Sequence, residues 1–531
     1  MRFASWLVCA ACLSGCAPQV AVPAQAPPTE HAAPNSNWKQ VEPAKQKQAL
    51  VPEPAGVPAA DAACQQLVEP PSAGCTKPTS ELGALAEAMA SKEPRERDRL
   101  LSCLESSTAF TPGVVRALRA ELSAECADVL ALPLLEPRRA DLSRSIEDTL
   151  IALAASGRLR RLVQKAPELE PPFDRARFMD FFQSTLKPWI VTQAAAIHDL
   201  AAVGPRLSAY AKGVVAVEAG LADMRFVSVV RQVPLPKEMS DDPEVRDAYY
   251  AALDEALEPR KARGRDAALV GLRELANEGV VFDGRVQRAR ALLSEVYSGR
   301  RIDALDKLLL PDLAPAATDT SERSLAARLP SFYAGVLLAN AKPDAQLLRA
   351  LMERGLPKAF TARLTPDQLD EAGKALLVRA WFDRGRIYFR AEDFASSAKL
   401  SAVDKPTPEQ ALYHALASTL QNGPRDGSDL LLRGPQLPTF TTQVAELDRL
   451  ASQKGPLAAL AAFDAAYLLG LVPPQNDPKF WDSLATRFEN ASRKLSDPTQ
   501  KKDAHDAGVA AKDTAKALRV AVAHPAGAPT H

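Results

Sequence analysis

Apolar residues recur along this chain with the period of a helix. Leu82, Leu85 and Met89 share one face, Leu100, Leu101 and Leu104 a second, and Val114, Leu118 and Leu122 a third. From Arg139 onward the stripes lengthen. Leu142, Ile146, Leu150 and Leu153 fall on one face, and Gly157 is placed to end that helix at C′. Phe173 to Val203 is a second long periodic region, carrying Phe178, Phe181, Phe182 and Trp189 and interrupted at Pro188. Phe226-Val227-Ser228-Val229-Val230 is β-branched enough for a short strand, but the flanking pattern favours helix. Asp242-Pro243-Glu244 reads as an N-cap, a first-turn proline and an acid at the positive helix end, with Tyr249, Leu253 and Leu257 following on one face.

Two helix starts are nearly identical. Thr365-Pro366-Asp367-Gln368 and Thr407-Pro408-Glu409-Gln410 are capping boxes beginning 42 positions apart. In each, the threonine oxygen can accept from the third helical amide while the glutamine reaches back to the cap. Asp497-Pro498-Thr499-Gln500 is a related start. Equal starts at this spacing predict a repeating helix-pair unit.

The stretch from Trp381 to Phe394 sharpens that expectation. Trp381, Gly385, Tyr388, Asp393 and Phe394 resemble the tetratricopeptide repeat, with Ser397 where that family prefers alanine and Arg384 in place of its usual leucine. The resemblance implies that Gly385 admits a neighbouring helix while Trp381, Tyr388 and Phe394 fill the space between helices. These are packing residues. Leu292 to Leu305, with Tyr297, Gly299 and Ala304, and Phe463 to Phe488, with Tyr467 and Trp481, are weaker echoes. The expected fold is all-α: a solenoid of tetratricopeptide-like helix pairs preceded by a disordered tether.

The first residues are of another kind. Met1-Arg2 is followed by an apolar run from Phe3 to Leu13, relieved only by Ser5, and then by Ser14-Gly15-Cys16. A bilayer span needs roughly 18 or more apolar residues, so this run is too short to remain as a transmembrane anchor. It resembles a bacterial lipoprotein signal peptide with Leu13-Ser14-Gly15 as lipobox. The resemblance implies that Cys16 becomes the first mature residue and carries palmitate-like acyl chains. Several such chains hold a protein stably at a membrane, at roughly 0.8 kcal/mol per CH₂. Ala17 after the cysteine implies sorting to the outer membrane, with the periplasmic or surface side left open. From Ala17 to about Ala60 the chain is rich in Pro and Ala and carries one aromatic, Trp38. It is expected to be an extended tether, at roughly 3.1 Å per residue where polyproline-like.

Composition adds little direction. The chain has 531 residues, enough for several domains or one long array, and 65 basic side chains balance 65 acidic ones. That balance gives no electrostatic footprint for nucleic acid. Two basic clusters, Arg158, Arg160, Arg161 and Lys165, and Arg260, Lys261, Arg263 and Arg265, are candidates for an acidic partner, or else solvated faces paired with neighbouring acids such as Asp254 and Glu258. Cys64, Cys75, Cys103 and Cys126 all precede residue 130. In an oxidising compartment an even number predicts two disulfides. Of the three connectivities, the local one, Cys64–Cys75 with Cys103–Cys126, is the expectation. A metal site is not expected, because no cysteine pair has close ligand spacing and no histidine lies nearby.

The order read from the sequence is a signal peptide (1–15), a tether (16–60), a small cysteine-containing helical unit (61–135), a helical repeat region (136–315), a tetratricopeptide-like region (316–520) and a disordered tail (521–531). Nucleophile elbows, P-loops and paired zinc-binding histidines are absent. His198 and His414 fall in helical patterns, as surface or core residues and not as catalytic bases. No catalytic residue, no cofactor and no enzyme activity is expected. The function these features favour is a lipid-anchored envelope scaffold that binds protein partners through a helical-repeat surface, with no nucleic acid involved. Two alternatives stand beside it. One is a cell-wall-modifying enzyme or a degenerate relative of the superhelical lytic transglycosylases. That family's catalytic Glu-Ser pair is missing from the C-terminal region, where Asn490 follows Glu489. The other is a carrier of a small ligand.

Overall fold

Side-chain caps set many of the helix starts. Asp242 accepts from the amides of Glu244 and Val245, and Thr407 and Gln410 form the full reciprocal capping box. Asp174, Asp344, Asp370 and Asp477 each accept from the third amide of the helix they open. Such a cap contributes about 1 kcal/mol.

The computed structural model describes residues 50–68, 75, 78–164, 166–297, 301–365, 369–433 and 444–523. Cys16, the signal peptide, most of the tether, Pro366–Gln368 and the tail beyond 523 lie outside the described residues. In chain order the helices are α1 (Ala62–Val68), α2 (Glu81–Ala90), α3 (Pro94–Ser102), α4 (Val114–Leu122), α5 (Ala127–Leu135), α6 (Arg144–Gln164), α7 (Arg175–Phe181), α8 (Lys187–Val203), α9 (Ala209–Arg231), α10 (Lys237–Ser240), α11 (Pro243–Asn277) and α12 (Gly284–Val296). They continue as α13 (Ser321–Arg328), α14 (Ser331–Leu337), α15 (Ala345–Leu351), α16 (Lys358–Thr361), α17 (Glu371–Tyr388), α18 (Ala391–Ser401), α19 (Pro408–Leu420), α20 (Gly427–Arg433), α21 (Ala445–Ala451), α22 (Pro456–Leu471), α23 (Pro478–Lys494) and α24 (Pro498–Ala523). No strand occurs among the described residues. Phe226–Val230 is helical, inside α9.

The fold is all-α, and its helices pack against one another like the units of a solenoid. From α17 to α19 and again from α21 to α24, each helix lies against the next. The first half adds contacts between distant segments. Helix α13 packs on α2, and the Tyr333 hydroxyl on α14 donates to the Ala117 carbonyl on α4 at 3.0 Å. One hydrophobic core therefore runs from Val51 to Ala511. A satellite core, with Phe178, Phe181, Ile190, Phe226, Leu253 and Leu257 among its members, fills the space between α7, α8, α9 and the first half of α11. A turn of π-helix, Phe182–Leu186, joins α7 to α8 without a break, and Pro188 follows it as the second residue of α8.

Helices α9 and α11 approach at backbone distance. Gly213 and Gly220 on α9 meet Gly271 and Gly264 on α11, antiparallel, and seven residues separate the two glycines on each helix. That spacing is close to two helical turns, so both glycines share a face. A Cβ on Gly220 would lie 2.7 Å from the Ala268 nitrogen and the Gly264 oxygen, and one on Gly271 would lie 2.6 Å from the Val217 nitrogen. No side chain larger than hydrogen fits at these four positions without a shift of backbone or of Val217, Leu275 or Met224.

Three sequence expectations change. Gly157 does not end its helix; α6 continues to Gln164. A Cβ on Gly157 would meet the Ala124 oxygen and the Ala127 Cβ at 3.2 Å, so this glycine serves close packing against α5 and not a C-cap. The tether does not extend to residue 60 as free chain. Val51 is buried, Arg158 Nη1 donates to the Pro52 carbonyl at 2.7 Å, and Arg161 Nε donates to the Pro58 carbonyl at 3.1 Å. Apolar contact and two guanidiniums hold residues 50–60 on the body. The disulfides pair Cys64 with Cys126 and Cys75 with Cys103, nested and not local. Helix α1 lies against α5, which brings Cys64 to the residue preceding that helix.

A buried charged cluster ties the first half together. Arg285 on α12 donates from Nη2 to Glu121 Oε1 on α4 at 2.7 Å and from Nε to Glu218 Oε1 on α9 at 3.3 Å. Glu218 also receives Arg160 of α6 in a bidentate pair, and the Tyr210 hydroxyl donates to Glu121 Oε2 at 3.0 Å.

Candidate functional site

A helical hairpin, α17 followed by α18, forms over the stretch from Trp381 to Phe394. Helices α17 and α18 pack together through Gly385, where a Cβ would lie 2.9 Å from the Phe394 ring atoms Cδ1 and Cε1. The Phe394 and Phe382 rings lie 5.5 Å apart, and Phe382 meets Tyr413 of α19 at 5.3 Å. Trp381 is half-buried beneath the Arg384 guanidinium, 4.3 Å from its ring centroid. The same guanidinium grips Asp393 from Nε at 2.9 Å and Nη2 at 2.6 Å. Tyr388 is buried and donates to the Val280 carbonyl at 2.7 Å. Burial drives the Tyr388 hydroxyl far above the usual tyrosine range, so it serves as a fixed donor.

This hairpin docks on the C-terminal end of α11. Arg384 Nη1 donates to the Ala276 carbonyl at 3.2 Å, and Arg390 Nη1 donates to Asn277 Oδ1 at 2.7 Å. Guanidiniums at a helix C-terminus satisfy orphan carbonyls and meet the negative end of the dipole. Between α17 and α18 the chain turns at Phe389, a non-glycine residue in the left-handed region (φ 58°). That conformation costs roughly 1–2 kcal/mol in a residue with a Cβ. Burial of the Phe389 ring offsets the cost, and the turn carries Arg390 towards the space beside α11.

That space is a cleft of about 580 Å³. Leu269 and Leu272 of α11 and Ile302 form an apolar floor, closed against Gly427, where a Cβ would meet Ile302 Cδ1 at 2.8 Å. Arg273 and Asn277 continue the α11 wall at the helical spacing set by Leu269. Tyr388, Arg390 and Glu392 form the second wall, and the chain from Arg425 to Ser428 forms the third. The Ala391 amide donates to the Arg425 carbonyl at 3.1 Å, tying the last two together. Asp426 is occupied as a cap, accepting from the Ser428 and Asp429 amides at 2.9 and 3.0 Å. Arg390 is paired with Glu392 and lies 3.3 Å from Asp393. Burial pulls its guanidinium below the usual arginine range, against the opposing pull of Asp393. Arg273 is exposed, and the Arg425 side chain is 77% exposed. Four segments far apart in sequence build this site, and of its lining residues the sequence pattern singles out Tyr388 alone.

The two basic clusters turn inward. Arg161 forms a bidentate pair with Asp128 at 2.6 Å, Arg160 pairs with Glu218, and Arg158 donates to the Pro52 carbonyl. Lys165 lies outside the described residues. Arg263 holds Asp223 at 2.6 and 2.7 Å, Arg260 lies over the Phe226 ring at 3.9 Å, Lys261 pairs with Glu258 and Arg265 with Asp266. Acids of other helices, Asp128, Glu218 and Asp223, take Arg158, Arg160, Arg161 and Arg263, and of the two neighbouring acids Glu258 alone pairs with the cluster, through Lys261. Asp254 pairs with Arg231 instead. His414 Nδ1 lies 3.0 Å from the Ala398 carbonyl in the α18–α19 contact, and His198 is exposed on α8. Among the described residues no group of three His, Cys, Asp or Glu side chains is disposed to hold a metal, and no helix is long and apolar enough to cross a membrane.

One buried acid has no charged partner among the described residues. Asp464 on α22 is fully buried; its Oδ1 accepts from the Leu309 amide at 2.8 Å, and its Oδ2 has no partner there. Burial pushes this carboxyl far above its usual range, and the Leu309 hydrogen bond opposes that only in part. The folded chain therefore keeps a proton that the unfolded chain loses near pH 3.8. Stability falls as pH rises from there towards the folded value. The Asp464→Asn variant keeps the acceptor and removes the ionisation. It is expected to match the parent near pH 4 and to exceed it by a margin that grows with pH. Urea unfolding at pH 4, 6 and 8 measures this, and a constant offset would contradict it.

No family model, no curated protein and no solved structure matches the chain.

Proposed function

We propose that this protein is a scaffold of a bacterial envelope, held to the outer membrane by lipid on Cys16 and binding protein partners through its helical array. The observation that carries the binding half is the cleft between α11, the α17–α18 hairpin and the chain before α20. It combines an apolar floor with exposed guanidiniums, as a recognition site does when it buries an anchor and orients it with a few polar groups. The anchor half is supported by Leu13-Ser14-Gly15-Cys16 and the Pro- and Ala-rich chain behind it. With about 3.1 Å per residue in extended polyproline-like chain, the residues between Cys16 and Leu50 would let the body stand on the order of 100 Å from the bilayer.

The test is a cross-linked pull-down from detergent-solubilised envelopes, with a Cys16→Ala control and metabolic labelling by an alkynyl fatty acid. Label in the parent and none in the variant is expected, with defined envelope proteins recovered by the parent. Unlabelled parent protein would remove the anchor, and recovery of no partner would remove the scaffold. The cleft volume also falls in the range of small-molecule sites, which is the observation favouring a carrier. Native mass spectrometry of the protein purified from envelopes would then show a bound small molecule.

A further inference from the structure

We propose that the cleft receives an acidic segment of the partner protein, with an aliphatic side chain on the Leu269–Leu272–Ile302 floor and carboxylates on Arg273 and Arg425. The inference rests on the scaffold reading and adds the chemistry of what is bound. Its basis is the state of each charge around the cleft. Asp426 Oδ1 is taken by the amides of Ser428 and Asp429. Glu392 is consumed by Arg390, whose remaining nitrogens face Asn277 and Asp393. Arg390 and Glu392 cancel each other, so the lining keeps two further guanidiniums, Arg273 and Arg425, against one further carboxylate, Asp426. Arg273 rises from the α11 wall, exposed and without an ion pair among the described residues. Arg425 meets Asp429 through its Nε, at 3.3 Å, and leaves the Nη1–Nη2 edge towards solvent.

Guanidiniums with a free edge bind carboxylates as planar forks, and an apolar surface beside them lowers the dielectric in which they act. A basic segment would instead meet two guanidiniums, with Asp426 as the one lining carboxylate that no cation pairs among the described residues. An uncharged apolar segment would fill the floor but leave the rim unused. A segment alternating Leu with Glu or Asp satisfies both.

The experiment uses the full chain and fluorescein-labelled decapeptides of Leu with Glu and Asp, and the same peptides with Gln or Lys at the acidic positions, followed by fluorescence anisotropy. The acidic peptide is expected to bind, with affinity falling about tenfold between low and moderate salt. The Gln and Lys peptides are expected to bind at least about tenfold more weakly. The Arg273→Glu/Arg425→Glu double variant is expected to lose the acidic peptide by a similar factor while keeping its circular dichroism, since both side chains are exposed. Equal binding of the Lys peptide, or unchanged binding by the double variant, overturns the inference. So does arginine-dependent binding of inorganic phosphate or anionic vesicles in place of the peptide. The pull-down separates the two levels. If the double variant recovers the same envelope proteins as the parent, the cleft assignment fails and the scaffold stands. If the parent recovers none, the scaffold itself fails.

Discussion

The Arg285→Met variant is expected to lose about 3–5 kcal/mol of folding stability, the usual cost of removing one member of a buried ion pair. The guanidinium side chain is 4% exposed, and its partners Glu121 and Glu218 are 7% and 6% exposed. Methionine replaces most of the volume, so lost packing is a minor part. The larger part is Glu121, which would keep the Tyr210 hydroxyl as its neutral donor but no cation. A carboxylate in that state must take up a proton or admit water, and either is costly in a packed interior. Glu218 is affected less because Arg160 remains on it. A second change, Glu121→Leu, should recover most of the loss, since it removes the stranded charge. Urea unfolding of the two single variants and the double variant gives the coupling directly. Additive losses would show that α4, α9 and α12 are held by their apolar contacts alone.

The same cluster gives the acid limb of stability a definite sign. Burial pushes the Glu218 carboxyl up, but the hydrogen bonds from Arg160 and the charges of Arg160, Arg285 and Arg288 outweigh it and hold the group below its usual range. Its contribution is therefore present above the unfolded value near 4.5 and lost as pH falls through the folded value. Asp464 works in the opposite direction, losing stability as pH rises. The two acids belong to different halves of the chain and tilt stability with pH in opposite directions.

Short-range chemistry is legible in the sequence. Asp242-Pro243-Glu244 opens α11, Thr407 and Gln410 close the box that starts α19, and Gly385 admits Phe394, because each depends on residues within a turn or one hairpin. Gly157 misleads because a glycine that ends a helix and one that admits a neighbour look alike until the neighbour is known. Gly213, Gly220, Gly264 and Gly271 carry a signal, two pairs at equal seven-residue spacing, which takes on meaning only when α9 and α11 are set side by side. The cleft is not legible. Leu269, Ile302, Arg390 and Arg425 are ordinary residues in sequence, and their conjunction is a property of how α11, the hairpin and the chain before α20 pack.

Replacing Cys64 and Cys126 by serine is expected to cost about 4 kcal/mol by the loop-entropy relation, because the bond closes a separation of 62 residues. Loss of Cys75–Cys103, with a separation of 28, is expected to cost about 3.5 kcal/mol. The nesting matters more than the difference. Arg119, with 2% of its side chain exposed, sits inside the larger loop and gathers its parts. Its Nε and Nη2 hold Asp98 at 2.8 and 2.7 Å, its Nη1 holds Glu105, and Nη2 also donates to the Leu67 carbonyl at the end of α1. The disulfide and this guanidinium fix the same seven-residue helix from two sides, so neither alone releases it. The Cys64→Ser/Cys126→Ser variant should therefore keep α1 protected from amide exchange near neutral pH, at reduced stability. Adding Arg119→Met should release α1 and expose the carboxylates of Asp98 and Glu105. Peptide mapping without reductant should recover the Cys64 peptide joined to that of Cys126. Recovery of Cys64 joined to Cys75 would mean that α1 does not lie on α5, and the role given to Arg119 would fall with it.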